Sequence, residues 1–438
     1  MVNKQKQTVA ITTLGCKINQ FESAAMAETL GKEGFSIVPF DGAADIYVIN
    51  TCTVTSKTDA ESRRLIRRAS RQNPSAKIVV TGCYAQVAFE ELQDMPGVNL
   101  ILGNSEKKGI AEMLKDLGEN QRVLVSDISR ELNERGTRLE SFAEHTRAFL
   151  QVQNGCDAFC SYCIVPYARG RSRSVSLEEA LAGIRTFAER GFKEVVLTGI
   201  HLGAYGLDLN PPLSLLDLLN AAEKERLVER IRIGSVEPTE VSDALISFLA
   251  KSATVCPHLH IPLQSGHDRV LKAMNRNYST ADFRSVMEKL DTDLPSICIG
   301  TDIITGFPGE TDDEFQDGYR FLESLPLAYF HVFPFSPRSG TPAATMEGHV
   351  HSSVIKERAK ALRKLSEEKK KSFYRSFIGE KLQVLVQTRE GDLLKGLSRN
   401  YIPVFMEGDD DLLKTEQLVR ITGVEREKVT GEVISSAP

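Results

Sequence analysis

The sequence predicts an α/β protein in three parts: a small N-terminal parallel α/β domain, a central (βα)6 partial barrel and a small antiparallel β-barrel at the C-terminal end. Three observations predict it. Short apolar runs alternate with helical patterns from Val9 onward; the alternation restarts at Phe149 and runs for six rounds; after Gly379 it gives way to short alternating strands set apart by Gly, Asn and Asp turns. The expected boundaries are 1–118, a linker over 119–145, 146–377 with a long closing helix, and 378–438.

In the first part VAITTLG, IYVINT and KIVVTG read as short buried strands, with helical patterns over Asn19 to Gly31 and Lys57 to Gln72 between them. Strand, helix, strand, helix, strand makes a parallel sheet whose faces are covered by crossover helices. VNLILGN and a helix around Lys107 to Leu117 complete it, and the polar, poorly periodic stretch up to His145 suits a linker. In the second part the strands are FLQVQNG, EVVLTGI, RIRIGSV, HLHIPL, ICIGTDIITG and YFHVFPF, separated by patterns such as SLEEALAGIRTFAERG and TDDEFQDGYRFLESL. Right-handed crossovers between consecutive parallel strands curl the sheet, and six units are fewer than the eight of a full barrel. A charged helix over Ser352 to Phe377 follows, then KLQVLVQT, LKGLSRN, YIPVFME, QLVRITGV and VTGEVIS, the pattern of a small antiparallel barrel.

At 438 residues, with 41% apolar and 26% charged residues, the chain can bury several cores. Its apolar stretches are broken too often for a spanning helix, so no membrane partner is expected. MVNKQKQTVA runs into a strand pattern instead of an apolar signal core, so the chain is expected to be cytoplasmic. A net charge of −5 argues against coating nucleic acid with the whole surface and leaves local basic patches open. Eight cysteines in such a chain are read for metal or redox chemistry, not disulfides.

Six of them form two groups. Cys156, Cys160 and Cys163 make C-x-x-x-C-x-x-C in NGCDAFCSYCIVP, just after the first barrel strand. Three thiolates fall one short of a complete ferredoxin set, so a four-iron cluster here keeps one iron open to a small molecule. A zinc knuckle is the rival, but it needs a fourth ligand and no His or Cys follows nearby. Cys16, Cys52 and Cys83 stand far apart in sequence, yet each closes a strand, in TTLGC, INTC and VTGC. Strand carboxyl ends gather in an open parallel sheet, so these thiols should converge. Position alone leaves a second open cluster and a chance placement of buried thiols equally open. Cys256 and Cys298 fit no group and read as core residues.

LGCKINQFES, VINTCTVT, VTGCYAQ, NGCDAFCSYCIVPYARGRSRS, LTGI, LHIPLQSG and GFPGET, in this order, resemble the tRNA methylthiotransferases over essentially the whole chain. That family joins an N-terminal cluster domain, a radical S-adenosylmethionine (SAM) domain and a TRAM domain that binds RNA. LGCKINQFES with YARGRSRS is similar to the branch acting on N6-threonylcarbamoyladenosine beside the tRNA anticodon. The branch modifying isopentenyladenosine reads closer to YGCQMN, and the branch modifying a ribosomal-protein aspartate closer to LGCPKN. From another class, a noncatalytic iron–sulfur electron carrier or RNA-binding factor is the alternative.

The resemblance implies two 4Fe-4S clusters and SAM. The cluster on Cys156, Cys160 and Cys163 would cleave SAM to a 5′-deoxyadenosyl radical. The cluster on Cys16, Cys52 and Cys83 would carry the sulfur, either as a bound exogenous sulfide or persulfide or as a sacrificed cluster sulfide. Tyr162 sits where the family places an aromatic against adenine, and Thr198 and Gly199 where SAM proteins contact the amino group. Ser235 and Glu237 end the third strand, where a carboxylate can bind ribose hydroxyls, and Gln264 ends the fourth. Gly306 and Gly309 lack the Cβ atoms that keep backbone away from a ligand. Expected partners are the tRNA anticodon loop, an electron donor such as flavodoxin or ferredoxin, and a sulfur donor. Arg63, Arg64, Arg67, Arg68 and Arg71 read mainly as a solvated helix face, while Arg169, Arg171 and Arg173 suit phosphate contact or interdomain pairing. The segment after Gly379, with Arg389, Lys395, Arg399 and Arg420, is expected to bind tRNA and contribute little to the chemistry.

Overall fold

Six strands, all parallel, form the first sheet of the computed structural model, which describes residues 6–118, 120–132, 139 and 146–434. From the amino end, β1 (Thr8–Thr13), α1 (Lys17–Lys32), β2 (Ser36–Val38), β3 (Ile46–Thr51), α2 (Ser56–Gln72), β4 (Lys77–Gly82), α3 (Cys83–Val87), α4 (Phe89–Gln93), β5 (Val98–Leu102), α5 (Ile110–Lys115) and β6 (Arg122–Leu124) give the order β2-β1-β3-β4-β5-β6. β3 is buried at every position, which is why IYVINT shows no alternation. α2 starts at a capping box of Thr55 and Thr58 and buries Leu65, Ile66 and Ala69 on one face. The two edge strands leave no trace in the pattern because three residues are too few to show a period. β6 lies inside the stretch read as a linker and pairs with β5 from Leu100↔Arg122 to Leu102↔Leu124. Most of the rest of that stretch, 133–138 and 140–145, is outside the described residues.

The second part contains β7 (Arg147–Gln151), β8 (Gln153–Asn154), α6 (Val165–Arg169), β9 (Arg173–Ser174), α7 (Leu177–Glu189), β10 (Glu194–Thr198), α8 (Leu215–Glu225), β11 (Arg230–Ile233), α9 (Asp243–Lys251), β12 (His258–His260), α10 (Asp268–Ala273), α11 (Thr280–Asp293), β13 (Cys298–Thr305), α12 (Asp312–Ser324) and β14 (Tyr329–Pro334). Two parallel sheets, β11-β10-β7 and β12-β13-β14, join through the bridge Ser235↔His260 into the expected six-stranded partial barrel. Ser176, Ser214, Ser242, Ser279 and Thr311 each accept the third backbone N–H of the helix they open, so every long covering helix starts at a hydroxyl cap.

Alternation decides what each strand shows to the barrel interior. Val195, Leu197, Ile231, Ile233, Leu259, Ile299, Ile303 and Phe330 enter the apolar layer beneath the helices. Their neighbours Glu194, Arg230, Arg232, His258, His260, Asp302, Tyr329 and His331 face inward. A full (βα)8 barrel fills this space with stacked apolar side chains, whereas here it is polar.

α13 (Ser352–Arg375) packs along β14 and leads to β15 (Lys381–Glu390), β16 (Leu393–Ser398), β17 (Pro403–Met406), β18 (Glu416–Glu425) and β19 (Lys428–Val433), a closed barrel in the order β15-β16-β17-β19-β18. Val384, Val386, Leu394, Val404, Val419 and Val429 fill it. This barrel caps the amino ends of the central strands. Glu194 receives Arg232 through Nε at 2.8 Å and Nη2 at 3.0 Å, and Arg230 at 2.7 Å. Arg230 and Arg232 also donate to the carbonyls of Leu397, Ser398 and Arg399, and Arg230 pairs with Glu416 at 2.9 Å. Tyr401 stacks on His258 with 4.1 Å between ring centres. Arg399, read as facing RNA, instead pairs with Glu416 and donates to the carbonyls of Ala253 and Glu229, because it completes this docking network.

Burial by itself would raise the Glu194 carboxyl, but Arg232 and then Arg230 override it and hold it at about 2. Its contribution is therefore complete above the ordinary value of 4.5 and is lost as pH falls toward 2. Glu194→Gln leaves two buried guanidinium groups short of a counter-ion, and the expected loss of about 3–5 kcal/mol is read as a lower urea midpoint at neutral pH. The variant's midpoint should also fall less steeply than the parent's between pH 5 and pH 3.

Candidate cluster sites and their coupling

Cys156, Cys160 and Cys163 lie on one loop closed at its base by the antiparallel pair β8 and β9. Gly155 makes the turn possible: its φ is +71° and a Cβ there would come 1.8 Å from the Arg171 carbonyl oxygen. Cys156 N–H donates to the Gly170 carbonyl, and Ser161 is tied to the end of α10 through its N–H to Met274 and its hydroxyl to Ala273. Polar groups meet the sulfurs. The Ala158 N–H lies 3.4 Å from Cys156 Sγ, and His201 Nδ1 lies 3.7 Å from it with Nε2 2.7 Å from Glu240 Oε1. Arg276 Nη1 donates to Cys160 Sγ at 3.0 Å while Nη2 pairs with Glu237. Burial works against charge on His201, but Cys156 and Glu240 prevail and raise it to about 10. Cys163 is pushed up to about 12, first by burial and then by Cys160 and Cys156.

Cys16, Cys52 and Cys83 follow β1, β3 and β4, which are adjacent in the sheet, so the expected convergence occurs. Cys52 is pushed up to about 12 by burial and then by Cys83, with Cys16 adding to it. Gly15, with φ +101°, lets Cys52 approach: a Cβ there would meet Cys52 Cβ at 2.7 Å. A tetrahedral zinc draws its thiolates to about 3.8 Å of one another. Among the described residues, the group of metal-capable side chains with all ligand atoms within 4.8 Å is His260, Asp302 and His331, and neither cysteine triad meets that limit. Both triads are therefore wider than a single tetrahedral ion requires, and three thiolates are one short of the set that closes a four-iron cluster. Cys256 and Cys298 are buried apart from them, as expected.

The two sites are tied together. Arg169, buried, pairs with Glu22 at 2.8 and 3.0 Å and with Asn19 Oδ1 at 2.5 Å, and Lys107 reaches Glu22 at 2.6 Å. Asn19 in turn donates to the carbonyls of Leu14 and Thr51 beside Cys16 and Cys52. Burial opposes charge on Glu22, but Arg169 and Lys107 hold it at about 2. A second clasp runs from Arg338 to Thr53 and Asp59, both at 2.6 Å. Of the arginines after the third cysteine, Arg169 thus serves interdomain pairing, Arg171 pairs with Asp157, and Arg173 donates to the carbonyls of Arg169 and Arg171. On α2, Arg63 reaches Tyr84 and Glu91, Arg64 reaches Glu61 and Arg68 reaches Asp41, as on a solvated face.

A cavity of about 200 Å³ opens beside Cys163 between Tyr162, Gln264, Asp302, Ile304 and Phe333, with Val54 and Thr55 of the first domain across it. Among the residues expected to hold SAM, Tyr162 and Gln264 line it. Thr198 is turned away, its hydroxyl donating to the Leu150 carbonyl, and Gly199 packs against Gln153. Ser235 is exposed and Glu237 is committed to Arg276. The space beside Gly306 is taken by Ile355, and Gly309 abuts Gly348. Sequence reading missed His201, Arg276, Asp302 and Arg338. His201 directly follows LTGI and offered a signal; the other three act across sequence distances that no local pattern records.

A profile of the radical SAM superfamily matches residues 150–322, and one described as Uncharacterized protein family UPF0004 matches residues 8–103. The barrel and its cysteine loop thus define a radical SAM protein. The "Threonylcarbamoyladenosine tRNA methylthiotransferase MtaB" of Bacillus subtilis is 39% identical over 93% of this chain and 92% of its own length. That of Thermotoga maritima is 40% identical over 90% and 89%. The "tRNA-2-methylthio-N(6)-dimethylallyladenosine synthase" of Acetivibrio thermocellus is 32% identical over 98% and 92%. Within the radical SAM superfamily, the chain belongs to the tRNA methylthiotransferase family. Among solved structures, the radical SAM methyltransferase TsrM of Kitasatospora setae shares the fold, with a TM-score of 0.57 at 16% identity over 77% of this chain and 75% of that one.

Arg169→Met should cost about 3 kcal/mol in the metal-free protein, since it leaves the buried Glu22 with Lys107 as its sole counter-charge and Asn19 without its donor, and Arg169→Lys should recover only part because one ammonium cannot span Glu22 and Asn19 together. Urea midpoints of the three proteins check the order.

Proposed function

We propose that the protein inserts a methylthio group at C2 of N6-threonylcarbamoyladenosine at position 37 of tRNA, giving 2-methylthio-N6-threonylcarbamoyladenosine. One observation carries this reading: two cysteine triads, each one ligand short of a complete set, are held in fixed relation by Arg169, Asn19 and Glu22. Sulfur insertion at an unactivated carbon needs a radical source and a sulfur source within reach of one substrate atom. The branch is supported by the higher identity to the threonylcarbamoyladenosine enzymes, 39% and 40% against 32% for the dimethylallyladenosine enzyme.

When bound, a 4Fe-4S cluster on Cys156, Cys160 and Cys163 supplies the electron that cleaves SAM to methionine and a 5′-deoxyadenosyl radical, and one on Cys16, Cys52 and Cys83 presents the sulfur. The chain's own residues do the rest. His201, the Ala158 N–H and Arg276 meet the sulfurs of Cys156 and Cys160 and favour their anionic form. Tyr162, Gln264, Ile304 and Phe333 offer an adenine-sized, largely apolar wall for SAM. The electron comes from a donor such as flavodoxin or ferredoxin, and the sulfur from a separate donor. In the C-terminal barrel, read as TRAM-like, Lys395 and Lys428 lie 5.4 and 4.9 Å from the centre of the Phe405 ring, a cationic aromatic platform suited to RNA. Among the described residues no helix is long and apolar enough to cross a membrane, and we assign the protein to the cytoplasm with its tRNA.

Nucleoside mass spectrometry of tRNA from cells with and without the gene tests the reading: the methylthiolated nucleoside should vanish and its unthiolated precursor accumulate. Replacing Cys156, Cys160 and Cys163 by Ala should abolish 5′-deoxyadenosine formation and leave about half the iron in anaerobically reconstituted protein. Replacing Cys16, Cys52 and Cys83 should leave SAM cleavage but no methylthiolated product. Phe405→Ala combined with Lys428→Gln should raise the dissociation constant for tRNA about tenfold, measured by filter binding, as expected for one lost stacking contact.

A further inference from the structure

We propose that the turn after β11 sets the reduction potential of the 4Fe-4S cluster on Cys156, Cys160 and Cys163, through a relay from the Glu237 carboxylate to the Arg276 guanidinium to the Cys160 sulfur; this rests on the cluster assigned above. Arg276 is the charged centre of the relay. Its Nη1 donates to Cys160 Sγ at 3.0 Å, its Nη2 pairs with Glu237 and its Nε donates to the Tyr278 hydroxyl at 3.0 Å. All three nitrogens are engaged, and the side chain is only 5% exposed. The segment that carries Arg276 also grips the cysteine loop. Asn275, with φ +59°, ends α10 in a left-handed turn, and its Nδ2 donates to the Phe159 carbonyl at 3.1 Å. Ser161 is tied to Met274 and Ala273 in the same segment. These contacts involve no sulfur, so they place the guanidinium against Cys160 and hold the loop without it.

Glu237 is fixed from behind. It shares a capping box with Glu240: the Glu237 N–H donates to Glu240 Oε2 at 2.8 Å, and the Glu237 carboxylate accepts the Glu240 N–H. The other Glu240 oxygen lies 2.7 Å from His201 Nε2, and His201 Nδ1 lies 3.7 Å from Cys156 Sγ. One short turn therefore stands behind the groups that meet two of the three sulfurs, as outer carboxylates do at other metal sites. Gly203 leaves room for it, since a Cβ there would come 1.7 Å from Glu240 Oε2. Reduction of a cluster here takes one electron from a low-potential donor of the flavodoxin or ferredoxin class and breaks no bond. A nearby positive charge and an N–H donor on sulfur both stabilise the added electron and raise the potential. Arg276 supplies both, and its charge does not vary with pH. Glu237, one step further from the sulfur, offsets part of that charge and acts as a positioning residue. Removing the guanidinium should lower the potential, and removing the carboxylate behind it should raise it. Residues that only held the loop would move both variants the same way.

The test is a redox titration followed by electron paramagnetic resonance, on full-length protein reconstituted anaerobically and free of SAM. Protein with Cys16, Cys52 and Cys83 replaced by Ala assigns the signal that belongs to this cluster. Arg276→Met should lower the midpoint by about 59 mV, a tenfold change in a one-electron equilibrium. Arg276→Lys should lower it less, because the charge stays while the fork is lost. Glu237→Gln should raise it. An unchanged midpoint in Arg276→Met overturns the proposal, and a weaker SAM dissociation constant in that same protein would make Arg276 a ligand of SAM only. A Glu237→Gln midpoint that falls together with that of Arg276→Met also overturns it. If Arg276→Met takes up no iron, the opposite shifts required of Arg276→Lys and Glu237→Gln decide. A parent protein with no signal from this cysteine set refutes the assigned cluster and the relay with it, whereas a parent signal with unmoved variants refutes the relay alone.

Discussion

One buried ion pair, Arg169 with Glu22, fixes the relation on which the remainder of the molecule depends. Arg169 closes the short helix after Cys163, and Glu22 stands on the helix capped by Cys16, so their contact joins the backbone of one triad to that of the other. Neither charge could be buried alone. Together with Asn19 and Lys107 they form a satisfied network, and its geometric demands are stricter than those of an apolar contact of the same area. A hydrophobic interface could slide by an ångström at little cost; this one cannot. Two reactive centres that must serve the same substrate carbon need that kind of fixity.

The second constraint is the polar barrel interior. Six strands enclose a space that a complete barrel would fill with branched apolar side chains, and here Glu194, Arg230, Arg232, His258, His260, Asp302 and His331 occupy its wall. Such a wall is stable only if its buried charges are paired. The C-terminal barrel supplies the closure: the carbonyls of Leu397, Ser398 and Arg399, with Glu416, complete the coordination of Arg230 and Arg232. The reading of the last sixty or so residues as a separable RNA-binding appendage is therefore incomplete. They also form the floor of the chamber, so their removal would strip buried guanidinium groups of their partners.

The legible features were those written within a few residues. The sequence by itself determined the three-part architecture, because buried strands and capped helices are set by local periodicity and by Ser or Thr at helix starts, as at Ser176, Ser214 and Thr311. It determined the first triad outright, since Cys156, Cys160 and Cys163 share one loop. It placed Cys16, Cys52 and Cys83 together, since strand ends in a parallel sheet must meet. What the tertiary structure alone decided was pairing between segments remote in sequence: that Arg169 faces Glu22 and not phosphate, that Arg276 reaches both Cys160 and Glu237, and that Thr198 and Gly306 serve the fold while Asp302 lines the cavity. The physical reason is that a charged or polar side chain carries no periodic signal of its partner. Its role is set by which opposite charge the folded chain brings within about 3 Å, and that distance is a property of the packed domains, not of any stretch of sequence.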